Sequence, residues 1–174
     1  MDLLSLAALC GPLVHPQMTL RVIAVESQGN PFAIHDNTTA QQYTPKSLQD
    51  AVRLSTRLID AGHRLDLGLM QINYEAWLRP TGFAIERALD PCTNITLGTT
   101  ILSADYTQAL SRSATPNEAL LRSLSLYNSG SESRSLSYAQ VVLKGRSSTP
   151  IWTPGSRVSA ERARRAAVTF SSRP

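Results

Sequence analysis

The sequence predicts a mainly α fold with at most a small β element, and three observations carry that prediction. Apolar residues recur at helical spacing through most of the first 144 positions. Two segments open on strong helix-start signals, Asp90-Pro91 and Thr115-Pro116-Asn117-Glu118. Strict alternation of apolar residues is confined to one short stretch, Leu65, Leu67 and Leu69.

Taken in order, Leu3 to Leu9 reads as a short amphipathic helix packing on the domain. The opening MDLLSLAALCGPLV has some character of a secretory leader, but Asp2 stands where a positive n-region belongs and the apolar stretch is brief. Bulky Leu9 also argues against a lipoprotein site at Cys10, so no export signal is evident. His15 to Thr19 leads into a helix reaching about Gln28, with Leu20, Ile23 and Ala24 on one face and Gly29-Asn30-Pro31 as its stop. Residues 32 to 46 read as loop. Leu48, Ala51, Val52, Leu58 and Ile59 mark a further helix ended by Gly62. HRLDLGLMQIN, residues 63 to 73, reads as an extended piece or small hairpin, and Asn73 to Trp77 as a short helix broken near Pro80-Thr81-Gly82.

Asp90 as cap and Pro91 as first residue begin a helix running to about Ser111 through Ile101, Leu102 and Ala109. Thr115 to Glu118 form a capping box, followed by Ala119, Leu120 and Leu124 and a stop at Tyr127-Asn128-Ser129-Gly130. A last helix carries Tyr138, Val141, Val142 and Leu143 up to Gly145.

At 174 residues the chain fits one domain able to bury a sizeable core. The expected division is a domain over residues 1–145 and a basic, flexible tail over 146–174, with a helix at most over Ser159 to Val168. The net charge of +4 is uneven: residues 1–144 carry 11 Lys+Arg against 12 Asp+Glu, and the remainder 6 Arg against one Glu. A near-neutral body argues against a nucleic-acid-binding face. No apolar run approaches the roughly 18 residues of a membrane span, so no integral membrane segment is expected. Cys10 and Cys92 are too far apart for a Cys-x-x-Cys motif and too few for a zinc site, which leaves one disulfide or two buried thiols open. His15, His35 and His63 show no ligand spacing, so neither a metal nor another cofactor is expected.

Glu26 poses a question. A carboxylate in the last turn of an apolar helix is disfavoured by the helix dipole, and a buried unpaired carboxylate is costly enough to raise its own pKa. Taken singly, Glu26 reads as a solvated helix end, Gly68 to Asn73 as a turn, and Tyr127-Asn128 as a helix C-terminus. In order, Glu26-Ser27, Gly68-Leu69-Met70-Gln71-Ile72-Asn73, Tyr127-Asn128-Ser129-Gly130 and Tyr138-Ala139-Gln140-Val141-Val142 resemble the motifs of the lysozyme-like lytic transglycosylases. The nearest likeness is to the transglycosylase component of type IV secretion and conjugation systems. It covers about residues 8 to 144 and has no counterpart for the tail.

The resemblance implies an α+β lysozyme-like fold around a substrate groove, with Glu26 as catalytic acid. Glu26 would protonate the glycosidic oxygen between N-acetylmuramic acid and N-acetylglucosamine in peptidoglycan, then act as base on the sugar's own 6-hydroxyl, leaving a 1,6-anhydro end. Ser27 and Gln71 match positions that support Glu26 and line the groove, Met70 and Tyr127 wall positions, Asn128 a sugar-binding position and Tyr138 one that orients Glu26. Asn73, closing its motif, joins the substrate-binding set. For Met70 and Tyr138 core packing is the competing reading.

Hydrolysis normally uses two carboxyl groups, and Asp36 and Asp66 are the candidates for a second. The favoured reading of each is structural, Asp36 in an Asp-Asn turn and Asp66 in an exposed loop. The implied setting is periplasmic, where a Cys10–Cys92 bridge is expected. The implied partners are glycan strands and secretion-system components, and a monomer is expected. Competing readings are a hydrolytic muramidase and a non-catalytic wall-binding scaffold. One departure stands out: His63-Arg64-Leu65-Asp66-Leu67 precedes Gly68 where many relatives carry a small, Gly/Ala-rich approach, so a different groove rim is expected.

Overall fold

The computed structural model describes residues 1–145, so the expected tail lies outside the described residues. Helix α1 (Leu3–Cys10) is capped by Asp2, whose carboxylate accepts from the Ser5 N–H at 2.9 Å. It buries Ala7 and Cys10. Helix α2 (Pro16–Glu26) starts on Pro16 with the His15 ring as cap. Its buried side is Met18, Val22 and Ile23, with Thr19 and Arg21, so the expected apolar face is displaced: Leu20 is half-buried and Ala24 exposed. The helix ends two residues earlier than expected because Gln28 and Gly29 both adopt left-handed backbone, at φ 54° and 83°.

The segment expected to be loop holds two strands, β1 (Ile34–Asp36) and β2 (Gln41–Tyr43). They were hidden from the pattern because the two inward positions of β1 are Ile34 and Asp36, so one of them is a charge. Asp36 tolerates full burial because Thr39 Oγ1 donates to it at 2.6 Å, the Thr38 N–H at 2.9 Å, and His63 Nδ1 lies 2.7 Å away. Burial alone pushes this carboxyl up, but the Thr39, His63 and Thr38 contacts outweigh it and hold the carboxyl well below the usual range.

Helix α3 (Leu48–Asp60), capped by Ser47, leads to β3 (Leu65–Leu67) and β4 (Ile72–Asn73). The sheet is antiparallel throughout, in the order β2-β1-β3-β4, with Ile34 opposite Leu67, His35 opposite Asp66, and Asp66 opposite Asn73. A π-helical turn (Tyr74–Leu78), a 3-10 turn (Arg79–Thr81) and the short α4 (Ile85–Ala88) follow. The sequence pattern did not mark α4.

Helices α5 (Pro91–Leu110), α6 (Pro116–Ser129) and α7 (Leu136–Lys144) complete the described chain. The predicted caps are in place: Asp90 accepts from the Thr93 N–H at 2.9 Å, and Thr115 from the Glu118 N–H at 3.2 Å. Cys10 and Cys92 form a disulfide that ties α1 to the start of α5, with Cα atoms 5.2 Å apart. One apolar core joins the helices to the sheet through Met18, Ile23, Leu65, Leu67, Met70, Ile95, Leu124 and Val142. Arg21 of α2 donates to the Leu143 carbonyl of α7 at 2.8 Å. The fold is thus mainly α with a small antiparallel sheet, the lysozyme-like α+β class.

Candidate active site

The Gly68-to-Asn73 segment is held by a buried amide. Gly68 has φ 82°, and a Cβ there would fall 2.4 Å from Asn94 Nδ2. Only glycine allows both the left-handed backbone and that approach. Asn94, on α5, donates to the Leu67 and Ala88 carbonyls at 2.9 and 2.8 Å and accepts from the Met70 N–H at 2.7 Å. The β3–β4 turn is therefore fixed to the long helix. Leu69, Met70 and Ile72 point into the core.

Gln71 and Asn73 face the other way, into a groove of about 450 Å³ that Glu26, Asp66, Tyr127 and Asn128 also line. That volume is ordinary for a ligand site. Gln71 Nε2 donates to the Ala33 and Gly68 carbonyls at 3.1 and 2.8 Å, which closes the turn beneath the groove. Asn73 Nδ2 donates to Asp66 at 2.7 Å, while its Oδ1 accepts from the Ala76 N–H at 2.9 Å and starts the π-helical turn. Asn128 is exposed at the rim.

Glu26 reaches the groove from the last residue of α2. Burial raises its carboxyl from an ordinary 4.5 to about 7; a hydrogen bond from Tyr138 lowers it in part, and the charge of Asp66 raises it further. The Tyr138 hydroxyl donates to Glu26 Oε1 at 2.5 Å. Burial is also the main reason the Tyr138 phenol lies far above its usual range, so it stays a donor. Tyr127 donates its hydroxyl to the Met70 carbonyl at 2.7 Å, which pins the α6 wall to the β3–β4 turn.

Three expected site residues stand outside the groove lining: Tyr138, which meets Glu26 there, Met70 and Ser27. Met70 is fully buried, and a Cβ on Gly98 would lie 2.5 Å from its sulfur. Its role toward the groove runs through its backbone carbonyl. Ser27 is buried at the end of α2, where its hydroxyl donates to the Ile23 carbonyl at 3.2 Å and accepts from the Gly29 N–H at 3.3 Å.

The structure separates the two second-carboxylate candidates. Asp36 is not in the expected turn: it closes strand β1, paired with Gln41 and Leu65, accepts from the Thr38 N–H of the turn that follows, and is sealed in the sheet away from the groove lining. Asp66 is not in an exposed loop: it lies between the buried Leu65 and Leu67 of β3, and pairing on both sides turns it toward the groove. Burial raises its carboxyl, while Asn37 Nδ2 at 2.8 Å and Asn73 lower it in part. The unusual approach before Gly68 thus contributes His63 to the Asp36 lock and Asp66 to the groove.

Sequence reasoning missed Asn37, Trp77, Ile101 and Asp105, which also line the groove. Trp77 is 39% exposed, a large aromatic ring open to the groove, and its sequence neighbours Ala76 and Leu78 gave no signal for it. Ile101 and Asp105 share one face of α5 by their four-residue spacing. No Lys or Arg is among the lining residues. Among the described residues, no group of three His, Cys, Asp or Glu side chains could hold a metal ion, and no helix is long and apolar enough to cross a membrane.

Comparison with known proteins identifies the family. The sequence model of the transglycosylase SLT domain matches residues 4–141. The chain is 34% identical over 122 residues to Protein virB1 of Agrobacterium fabrum, covering 70% of this chain and 49% of that protein. It is 33% identical over 128 residues to Type IV secretion system protein virB1 of Brucella abortus, covering 73% and 53% respectively. The chain spans about half the length of the curated relatives it matches. No solved structure is matched. The chain belongs to the transglycosylase SLT domain family.

Proposed function

We propose that this protein is a peptidoglycan lytic transglycosylase that cleaves the β-1,4 bond between N-acetylmuramic acid and N-acetylglucosamine with Glu26 as its acid and base. The observation that carries this reading is the state of Glu26: a carboxyl at the groove, raised to about 7 by burial and aimed by a tyrosine hydroxyl. Such a group still holds a proton near neutrality and is basic once it has given it up.

Glu26 donates its proton to the glycosidic oxygen as the bond from that oxygen to C1 of the muramic acid breaks. The resulting carboxylate then takes the proton of the same sugar's 6-hydroxyl, whose oxygen closes on C1. The products are a free 4-hydroxyl on the glucosamine and a 1,6-anhydro end on the muramic acid. Glu26 ends protonated, and no water is consumed.

Asp66 supports the single-carboxylate route. Both of its oxygens are occupied by side-chain amides, so it acts as a fixed charge that strengthens Glu26's hold on its proton rather than as a free base. In this reading Tyr138 orients Glu26, and Asn128, Gln71, Asn73 and Tyr127 bound the sugar site. Ser27 and Met70 hold the helix end and the Tyr127 wall from behind, and Trp77 offers a ring face for a sugar to stack on.

Two relatives at 33–34% identity carry the name virB1, one of them as a type IV secretion system protein, which supports local opening of the wall for a secretion or conjugation apparatus. The Cys10–Cys92 disulfide fits an oxidising compartment such as the periplasm. Digestion of purified sacculi, with mass analysis of the released ends, tests the reaction. Anhydro ends are expected. Reducing muramic acid ends would establish a hydrolytic muramidase, and binding without release would establish a scaffold.

A further inference from the structure

We propose that Asp105 is a sugar-contacting residue of the groove, accepting hydrogen bonds from the hydroxyl or acetamido N–H donors of a glycan ring seated beside Tyr127. The inference rests on the glycan-cleaving reading above and adds a specificity contact that none of the motifs contains.

The three groove carboxyl groups differ in how they are satisfied. Glu26 receives the Tyr138 hydroxyl, and Asp66 receives the amides of Asn37 and Asn73. Asp105 receives no hydrogen bond from any described residue, and no Lys or Arg is among the described residues that line the groove. Its place on α5 explains why it is there at all. Leu102, Tyr106 and Ala109 take the core face of the helix, while Ile101 and Asp105 form the adjacent stripe along the groove wall.

Burial raises the Asp105 carboxyl from an ordinary 3.8 to about 7, in a half-buried position with no hydrogen-bond donor among the described residues. A carboxyl group that loses part of its hydration and gains no donor is a cost to the fold. Among the described residues lining the groove the charged groups are Glu26, Asp66 and Asp105, all acidic; burial first, and then these three charges, raise the Tyr127 phenol. The Tyr127 hydroxyl is already committed to the Met70 carbonyl. Open donor positions on Asp105 therefore face the groove, and a sugar ring carries several donors.

The test uses the full chain with Glu26→Gln to prevent turnover, and the tetrasaccharide of alternating N-acetylglucosamine and N-acetylmuramic acid as probe in titration calorimetry. Adding Asp105→Ala is expected to weaken binding about tenfold, in keeping with loss of hydrogen bonds to an ionisable acceptor. Asp105→Asn, which keeps one acceptor oxygen, should lose less. In the otherwise native enzyme Asp105→Ala should raise KM more than it lowers kcat, with no fall in the unfolding midpoint. Affinity within twofold of the parent, or a loss matched by a lowered midpoint in both variants, would overturn the assignment. If Asp105→Ala binds normally while the native chain releases anhydro ends from sacculi, the Asp105 contact alone is refuted. If the Glu26→Gln protein does not bind the tetrasaccharide at all, the Asp105 contact falls, and digestion of sacculi decides the reaction by itself.

Discussion

Replacing Glu26 by glutamine should stop cleavage and at the same time make the protein more stable at alkaline pH. The amide keeps the shape of the side chain and an oxygen to accept the Tyr138 hydroxyl, but has no proton to transfer. The stability effect follows from the raised carboxyl. Below its unfolded value of 4.5 Glu26 is protonated in both states and adds no difference; as pH rises through about 7 the folded protein must ionise a desolvated group. At about 1.4 kcal/mol per pH unit, the gap between those values amounts to about 3 kcal/mol lost by the native chain above pH 7. Glutamine does not titrate, so Glu26→Gln should match the native protein near pH 4 and exceed it at pH 8. For a chain of this size that corresponds to roughly 6–12 °C in melting temperature. Thermal unfolding of both proteins at pH 4 and pH 8 reads the effect, and assay on sacculi reads the activity. A variant no more stable at pH 8 than at pH 4, relative to the native protein, would refute the buried-acid reasoning; cleavage within a few-fold of native would refute the catalytic assignment.

Tyr138→Phe removes the hydrogen bond that holds Glu26 down and in place, so the alkaline limb of the pH–rate profile should move to higher pH while the maximum falls about tenfold. An unshifted limb would show that the phenol does not act on Glu26. Asp66→Asn removes a charge that raises Glu26, so the same limb should move to lower pH with substantial turnover kept at pH 5; a loss as complete as that of Glu26→Gln would favour a two-carboxylate hydrolase. Reducing the Cys10–Cys92 bridge, or replacing both residues by serine, should cost about 2–4 kcal/mol of stability, read from denaturant unfolding with and without reductant.

What could be seen in the sequence was whatever is decided locally. The caps at Asp90 and Thr115 satisfy helix-end N–H groups within a few residues, and both helices begin where those residues stand. Glu26 stood out because its position is locally unfavourable, and the order of the four motifs supplied a context for it. The strands β1 and β2 did not stand out: each is three residues long, and the second inward position of β1 is an aspartate whose partner His63 lies 27 residues away. Asp66 was misplaced for a related reason, since only pairing with β1 and β4 decides which way its side chain faces. Asn37, Trp77 and Asp105 enter the groove through tertiary packing, with no fixed spacing to Glu26 that a pattern could register. Met70 and Ser27 illustrate the converse, motif residues whose side chains are spent on holding their neighbours.

The contact between α2 and α7 has a mechanical consequence. Arg21 grips the Leu143 carbonyl and Tyr138 grips Glu26, so two residues five apart on one helix are bolted to two residues five apart on the other, in antiparallel order. At 1.5 Å per residue the bolts are about 7.5 Å apart along the axes. A single bolt would leave α7 free to swivel about it, whereas two resist both swivel and slide. Arg21 is not among the groove-lining residues, yet by holding the far end of α7 a guanidinium in the middle of α2 helps keep the phenol on the Glu26 carboxyl.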